Sequence, residues 1–184
     1  MGREVVIKNI FGEFGKPILA SSAPGRIDFL NTHQDYKGLP VVPIAVNLRT
    51  YVFAVRRIKG SFKVISLNLR EEDQEYIDEF EIPEIELDPD KKYFGNYFRS
   101  VFKLIRDRVG FKKFDNGLEI VVYSDVPIGS GMASSAALEV AFAKLLDEYY
   151  GLWMDRYELA ELCYRAEREA VSYTHLTLPT TERV

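Results

Sequence analysis

The stretch that most constrains the fold is Val126-Pro127-Ile128-Gly129-Ser130-Gly131-Met132-Ala133-Ser134-Ser135-Ala136-Ala137-Leu138-Glu139. An extended apolar segment, residues 118–123, runs into this Gly- and Ser-rich turn. Beyond the turn Leu138, Ala141, Phe142, Leu145, Leu146 and Tyr149 follow at helical spacing. Gly129 and Gly131 let the backbone curl tightly and approach a ligand closely. Ser134, Ser135 and the first amides of the helix are aimed at one spot. A helix start carries unpaired N–H groups and about half a positive charge, which suits a phosphate. A lone Gly-x-Gly fits an ordinary Ser-capped strand–turn–helix equally well. Pro127, both glycines and the paired serines within one turn favour a phosphate loop. No Gly-Lys-Ser/Thr follows, so it is not a Walker loop, and the third glycine of a dinucleotide fingerprint is absent.

The rest of the composition bounds the setting. A chain of 184 residues is long enough for one domain with a core. Its 47% hydrophobic and 28% charged residues read as globular. A net charge of −4 argues against a nucleic-acid partner. No apolar run approaches spanning length and residues 1–4 do not start a signal peptide, so neither a membrane nor secretion is expected. Cys163 is the single cysteine, which excludes an internal disulfide and a cysteine-based metal cluster. The expected setting is cytoplasmic.

Taken in order, residues 5–20 hold two short apolar runs around Phe11-Gly12-Glu13-Phe14-Gly15-Lys16-Pro17. Residues 22–38 form a dense polar cluster between apolar segments, with Arg26, His33 and Asp35 within ten residues. Such groups are either turn residues or ligands for something polar, and beside a phosphate loop the second reading is favoured. Residues 41–55 read as a strand with Val46, Leu48, Thr50, Val52 and Ala54 on one face, and residues 62–69 as another. The acidic run 71–86 reads as a solvated connection or edge. Phe94, Tyr97, Phe98, Val101, Leu104 and Ile105 make a helical core stripe. Asp155 and Glu158 are spaced to cap a last helix, whose buried side carries Leu159, Leu162, Cys163, Ala166 and Ala170.

The loop resembles the central motif of the GHMP small-molecule kinases, Pro-x-Gly-x-Gly-Leu-Ser-Ser-Ser-Ala-Ala, departing from it at Met132 and Ala133. The cluster Ala23-Pro24-Gly25-Arg26-Ile27-Asp28-Phe29-Leu30-Asn31-Thr32-His33-Gln34-Asp35-Tyr36-Lys37-Gly38 resembles the signature of the galactokinase subfamily. That signature reads Ala-Pro-Gly-Arg-Val-Asn-Leu-Ile-Gly-Glu-His-Thr-Asp-Tyr-Asn-Gly-Gly, and residues 11–17 resemble its lead-in. The resemblance implies that Arg26 sits near the transferred phosphate. It implies sugar contacts for His33 and Asp35, with Thr32 in place of a glutamate and Gln34 in place of a threonine. These departures fall in the hexose pocket and leave the sugar open. The resemblance also implies nucleotide contacts for Ser66 and for the loop residues Pro127, Gly129, Ser130, Gly131, Met132, Ala133, Ser134 and Ser135. Ser135 and Glu167, in Arg165-Ala166-Glu167-Arg168-Glu169-Ala170-Val171, fall at the two magnesium positions. Without the resemblance, Glu167 reads as a surface glutamate beside arginines. Asn96-Tyr97 resembles an Asn-Tyr pair of the subfamily.

The matches stop near Val171. Residues 171–180 resemble one reading frame of a sequencing adapter, so residues 172–184 are expected to be a non-native tail and residues 1–171 the domain. The expected fold is α+β, the N-terminal domain of a GHMP kinase (ribosomal protein S5 domain 2-like), with the C-terminal domain and its catalytic base missing. The parent is expected to use ATP and Mg2+ to phosphorylate the anomeric hydroxyl of galactose or a galactose-like sugar, the fragment alone being inactive. Its partners are then the sugar and ATP, with the oligomeric state open. Two alternatives stand: a non-catalytic sugar or nucleotide sensor, and a GHMP kinase for another small alcohol.

Overall fold

The structure, a computed structural model, describes residues 3–30, 40–90 and 92–171. Helix α1 (Arg3–Phe14) leads into strand β1 (Leu19–Leu30), then β2 (Val42–Lys59) and β3 (Ser61–Ser66). A short helix α2 (Leu67–Glu71), strand β4 (Ile77–Glu81), helix α3 (Gly95–Val109) and strand β5 (Asn116–Ser124) follow. Helices α4 (Ser134–Tyr150) and α5 (Arg156–Val171) complete the mixed α+β chain. None of these helices is long and apolar enough to cross a membrane.

The five strands form one sheet in the order β1-β2-β5-β3-β4. All neighbours are antiparallel except β5 and β3, which run parallel. Side chains alternate across a strand, so each strand feeds two cores. Val52 and Ala54 of β2 and Leu118, Ile120 and Val122 of β5 join the larger core, under α3, α4 and α5. Phe62, Phe98, Phe102 and Phe142 fill its centre, with Phe62 and Phe102 ring centroids 4.6 Å apart. Phe53 and Val121 point the other way and pack with Ile10, Ile65 and Leu67 beneath α1. The expected inward face of β2 at Thr50, Val52 and Ala54 is therefore the observed one.

Three local readings change. The apolar runs of residues 5–20 are a helix and the start of β1, because Val6, Ile7, Ile10 and Phe14 all lie on the side facing the smaller core. The segment 62–69 is strand only to Ser66, whose hydroxyl accepts the Leu69 N–H at 3.5 Å and starts α2. The acidic run carries the edge strand β4, one of the two forms expected of it, but one of its acids is not solvated. Asp78 is buried, accepting Arg99 Nη2 at 2.5 Å, Arg99 Nε at 3.1 Å and Tyr93 Oη at 2.9 Å. The Asp155–Glu158 cap forms as expected: Asp155 Oδ1 accepts the Tyr157 and Glu158 amides while Glu158 Oε2 accepts that of Asp155.

Candidate functional site

The loop between β5 and α4 is suspended from a polar knot at the end of β5. Ser124 exchanges two hydrogen bonds with Asn68 of α2, donating its amide at 2.8 Å and accepting Nδ2 at 2.9 Å. Its hydroxyl meets that of Thr50 at 2.8 Å and accepts the Val126 amide at 3.1 Å. Asp125 is held by Arg3 at 2.5 Å and by the Tyr123 hydroxyl at 2.8 Å. Burial, and then the adjoining Asp125 carboxylate, push the Tyr123 hydroxyl up to about 12. None of the knot's side chains stood out in the sequence, because what joins them is the register of β2 against β5.

Beyond Val126 the loop is exposed and tightly wound. Ser130 closes its first turn on the Pro127 carbonyl, with Oγ donating at 2.7 Å. Gly129, Gly131 and Ala133 have φ of 71°, 76° and 53°, in the left-handed region. Glycine adopts it freely, whereas Ala133 pays a strain of roughly 1–2 kcal/mol. Ala133 occupies the cap position of α4 and offers no side-chain hydrogen bond, so a serine-capped helix start is not what forms. No atom lies within 4 Å of where a Cβ would stand at Gly129 or Gly131. The loop thus borders open space rather than protein, with the unpaired first amides of α4 at its end.

Beside it lies a cavity of about 270 Å³. Its wall includes Ser134 and Ser135 of α4, Ser66 and Asn68, Thr50 and Ser124, and the aromatic side chains of Phe94, Tyr97 and Phe98. Ser66, Ser134 and Ser135, far apart in sequence, are therefore brought together. Phe94, Tyr97 and Phe98, expected in the core, also line the cavity. Asn96 is a brace instead, accepting the Asp88 amide at 2.7 Å and donating to the Asp88 and Asp90 carbonyls.

Arg26 comes to this site along β1. Its amide donates to the Met132 carbonyl at 2.9 Å, and its guanidinium is exposed and ion-paired with Asp28. The pairing of β1 with β2 slips between Pro24 and Arg26. At Gly25 in that bulge a Cβ would meet Val126 Cγ2 at 3.0 Å and the Met132 carbonyl oxygen at 3.1 Å. An added Cβ there would be tighter than ordinary contact, so glycine lets the strand and the loop lie this close without a shift in either. The sugar candidates Thr32, His33, Gln34 and Asp35 lie outside the described residues, as does the tail 172–184.

Glu167, on α5, is half-buried and faces Glu139 of α4. Glu139 is 1% exposed, and neither of its carboxylate oxygens meets an N–H or O–H donor. Burial first, and then the adjacent Glu167 carboxylate, hold the Glu139 carboxyl well above the usual range. The same burial, followed by both glutamates, pushes the Cys163 thiol up to about 12, which keeps it protonated and inert. Glu139 was overlooked in the sequence, although its position on the buried stripe of α4 marks it. Among the described residues no group of three or more His, Cys, Asp or Glu side chains is arranged to hold a metal ion.

Known proteins resemble the chain over both motifs. Residues 96–176 match the GHMP kinases N terminal domain, and residues 8–56 match the galactokinase galactose-binding signature. A galactokinase of Actinobacillus succinogenes is 34% identical over 155 residues, covering 84% of this chain and 38% of the relative. The chain thus spans about two fifths of the length of the curated relatives it matches. The fold is that of the Lactococcus lactis galactokinase solved with galactose, at a TM-score of 0.73 and 23% identity over 91% of this chain and 42% of that one. It is also that of the Methanococcus jannaschii mevalonate kinase, at a TM-score of 0.70 and 19% identity over 84% of this chain and 47% of that one. The strand of the polar signature is hydrogen-bonded to the glycine-rich loop, and the two segments are matched independently, so the chain carries a GHMP kinases N terminal domain together with a galactokinase galactose-binding signature.

Proposed function

We propose that the whole protein transfers the γ-phosphate of ATP to the anomeric hydroxyl of galactose or a galactose-like sugar, in the cytoplasm. The observation that carries this reading is the Arg26–Met132 backbone hydrogen bond, which sets the sugar-signature strand against the phosphate loop. Phosphoryl transfer asks the protein mainly to position the reactants and to stabilise charge. In this reading the residue 127–135 loop and the first amides of α4 cradle the triphosphate. The cavity walled by Ser66, Tyr97 and Phe98 takes the nucleoside end. The Arg26 guanidinium, exposed at the strand that touches the loop, offsets charge developing on the transferred group. Thr32, His33, Gln34 and Asp35 hold sugar hydroxyls.

Ser135 and Glu167 would hold magnesium. The fit is chemical: magnesium takes one or two carboxylates and completes its shell with phosphate oxygens and water. Glu139, buried against Glu167 with no donor on its oxygens, holds a proton that a bound cation would displace, leaving a carboxylate for the ion. A divalent ion held by these residues would supply positive charge against the negative charge of the triphosphate.

The test is made on the whole protein. Ser135→Ala and Glu167→Ala should each lose most of kcat while leaving the unfolding midpoint near wild type, followed as sugar-dependent ADP release. Near-wild-type turnover in both variants refutes the assignment.

A further inference from the structure

Glu139 is four residues beyond Ser135 on α4, so the two lie on one helix face, a turn apart. Ser135 lines the cavity beside the phosphate loop, and Glu139 lies a turn deeper, toward α5. Glu167 meets it there from α5, and the neutral Cys163 thiol adjoins both. Among the described residues, Glu167 is the charged group acting on Glu139. The α3 cation Lys103 is paired with Glu169, at 3.5 Å. A buried carboxylate with no cation or donor costs several kcal/mol, and two facing carboxylates cannot both remain charged without a counter-charge. Ordinary packing would have put an apolar residue at this place, as at the neighbouring core positions Phe142 and Ala143.

We propose that Glu139 is a further ligand of the divalent cation of the phosphate site, so that Glu139 and Glu167 together supply the protein's carboxylates to it. This rests on the kinase reading above and adds a residue to it. Two carboxylates and the Ser135 hydroxyl leave the remaining positions of a six-coordinate ion to phosphate oxygens and water, the balance magnesium favours.

The experiment uses Mn2+ as the probe, with the whole protein and a non-hydrolysable ATP analogue, and reads bound Mn2+ by electron paramagnetic resonance. Glu139→Gln preserves shape and removes the charge. It is expected to weaken Mn2+ binding by at least roughly 10-fold, the loss typical even of residues one shell out from a metal. Metal-free affinity for the analogue should stay at the wild-type value. Glu167→Gln should do the same. If Glu167→Gln weakens Mn2+ binding and Glu139→Gln does not, Glu139 is only a buried acid and the proposal fails while the kinase site stands. If neither variant alters Mn2+ binding, or the wild-type chain binds none, the proposal and the Glu167 assignment both fall. Loss of analogue affinity in metal-free Glu139→Gln would likewise overturn the proposal, by showing that the residue supports the loop itself. Should Glu139→Gln not fold, as read by circular dichroism, Glu139→Asp keeps the charge and shortens its reach. That variant is then expected to weaken Mn2+ binding, and wild-type affinity in it overturns the proposal.

Discussion

Gly25→Ala probes the contact between the signature strand and the glycine-rich loop directly. The new Cβ would stand 3.0 and 3.1 Å from the two methyls of Val126 and 3.1 Å from the Met132 carbonyl oxygen. Val126 is 1% exposed and the Met132 carbonyl is engaged by the Arg26 amide, so neither neighbour yields without disturbing something else. Overpacking of this kind costs typically about 1–3 kcal/mol. Stretching the Arg26–Met132 hydrogen bond adds up to about 1 kcal/mol. A total near 2 kcal/mol lowers the melting temperature of a chain this size by roughly 4–8 °C. Gly12→Ala is the matched control. It lies in α1 with no atom within 4 Å of the added Cβ, so helix propensity alone acts and favours alanine by about 1 kcal/mol. Urea denaturation of the two variants should therefore give shifts of opposite sign. If Gly25→Ala is as stable as wild type and binds the ATP analogue equally well, strand and loop are not in close contact and the argument fails.

Three further outcomes are expected. Asp78→Ala strands the Arg99 guanidinium, whose side chain is 17% exposed against 0% for Asp78, and should cost about 3–5 kcal/mol in denaturant titration; a loss below about 1 kcal/mol, as for an exposed pair, would show the cluster is not shielded. In metal-free protein, Glu139 binds a proton in the folded state that the unfolded chain releases above its ordinary value of 4.5, so stability falls as pH rises from there, by at most about 1.4 kcal/mol per pH unit. Glu139→Gln lacks that loss, and its margin over wild type should widen between about pH 5 and pH 8; a constant margin refutes the raised carboxyl. Thr32 is shorter than the glutamate of the subfamily signature, so a 6-deoxy or otherwise altered galactose should compete well with galactose in the whole protein, and a sugar panel in which galactose alone is phosphorylated would count against this.

The glycine-rich loop and the helices beside it were legible because their signals are local. Glycine and serine spacing, a 3.6-residue apolar period and the Asp155–Glu158 cap each act within one or two turns. α1 was hidden because Gly12 and Gly15 break its look as a helix, although its apolar residues keep helical spacing. The end of β3 at Ser66 depended on one hydroxyl choosing an amide three residues on. The site's less visible members were unreadable for a different reason. Thr50, Asn68 and Ser124 become partners only through strand register, and Glu139 acquires its character only when α5 lays Glu167 against it. Asp78 likewise looks like any other acid of residues 71–86 until α3 brings Arg99 to it.

The bond from the Arg26 amide to the Met132 carbonyl is made by main chain on both sides. It does not depend on which side chains the two segments carry, and Gly25 is the position at which an added Cβ would press on it. Strand and loop therefore keep their relative placement whatever side chains they carry. A lineage built on this junction is free to exchange side chains on either segment one at a time, while the backbone contact between them is inherited unchanged.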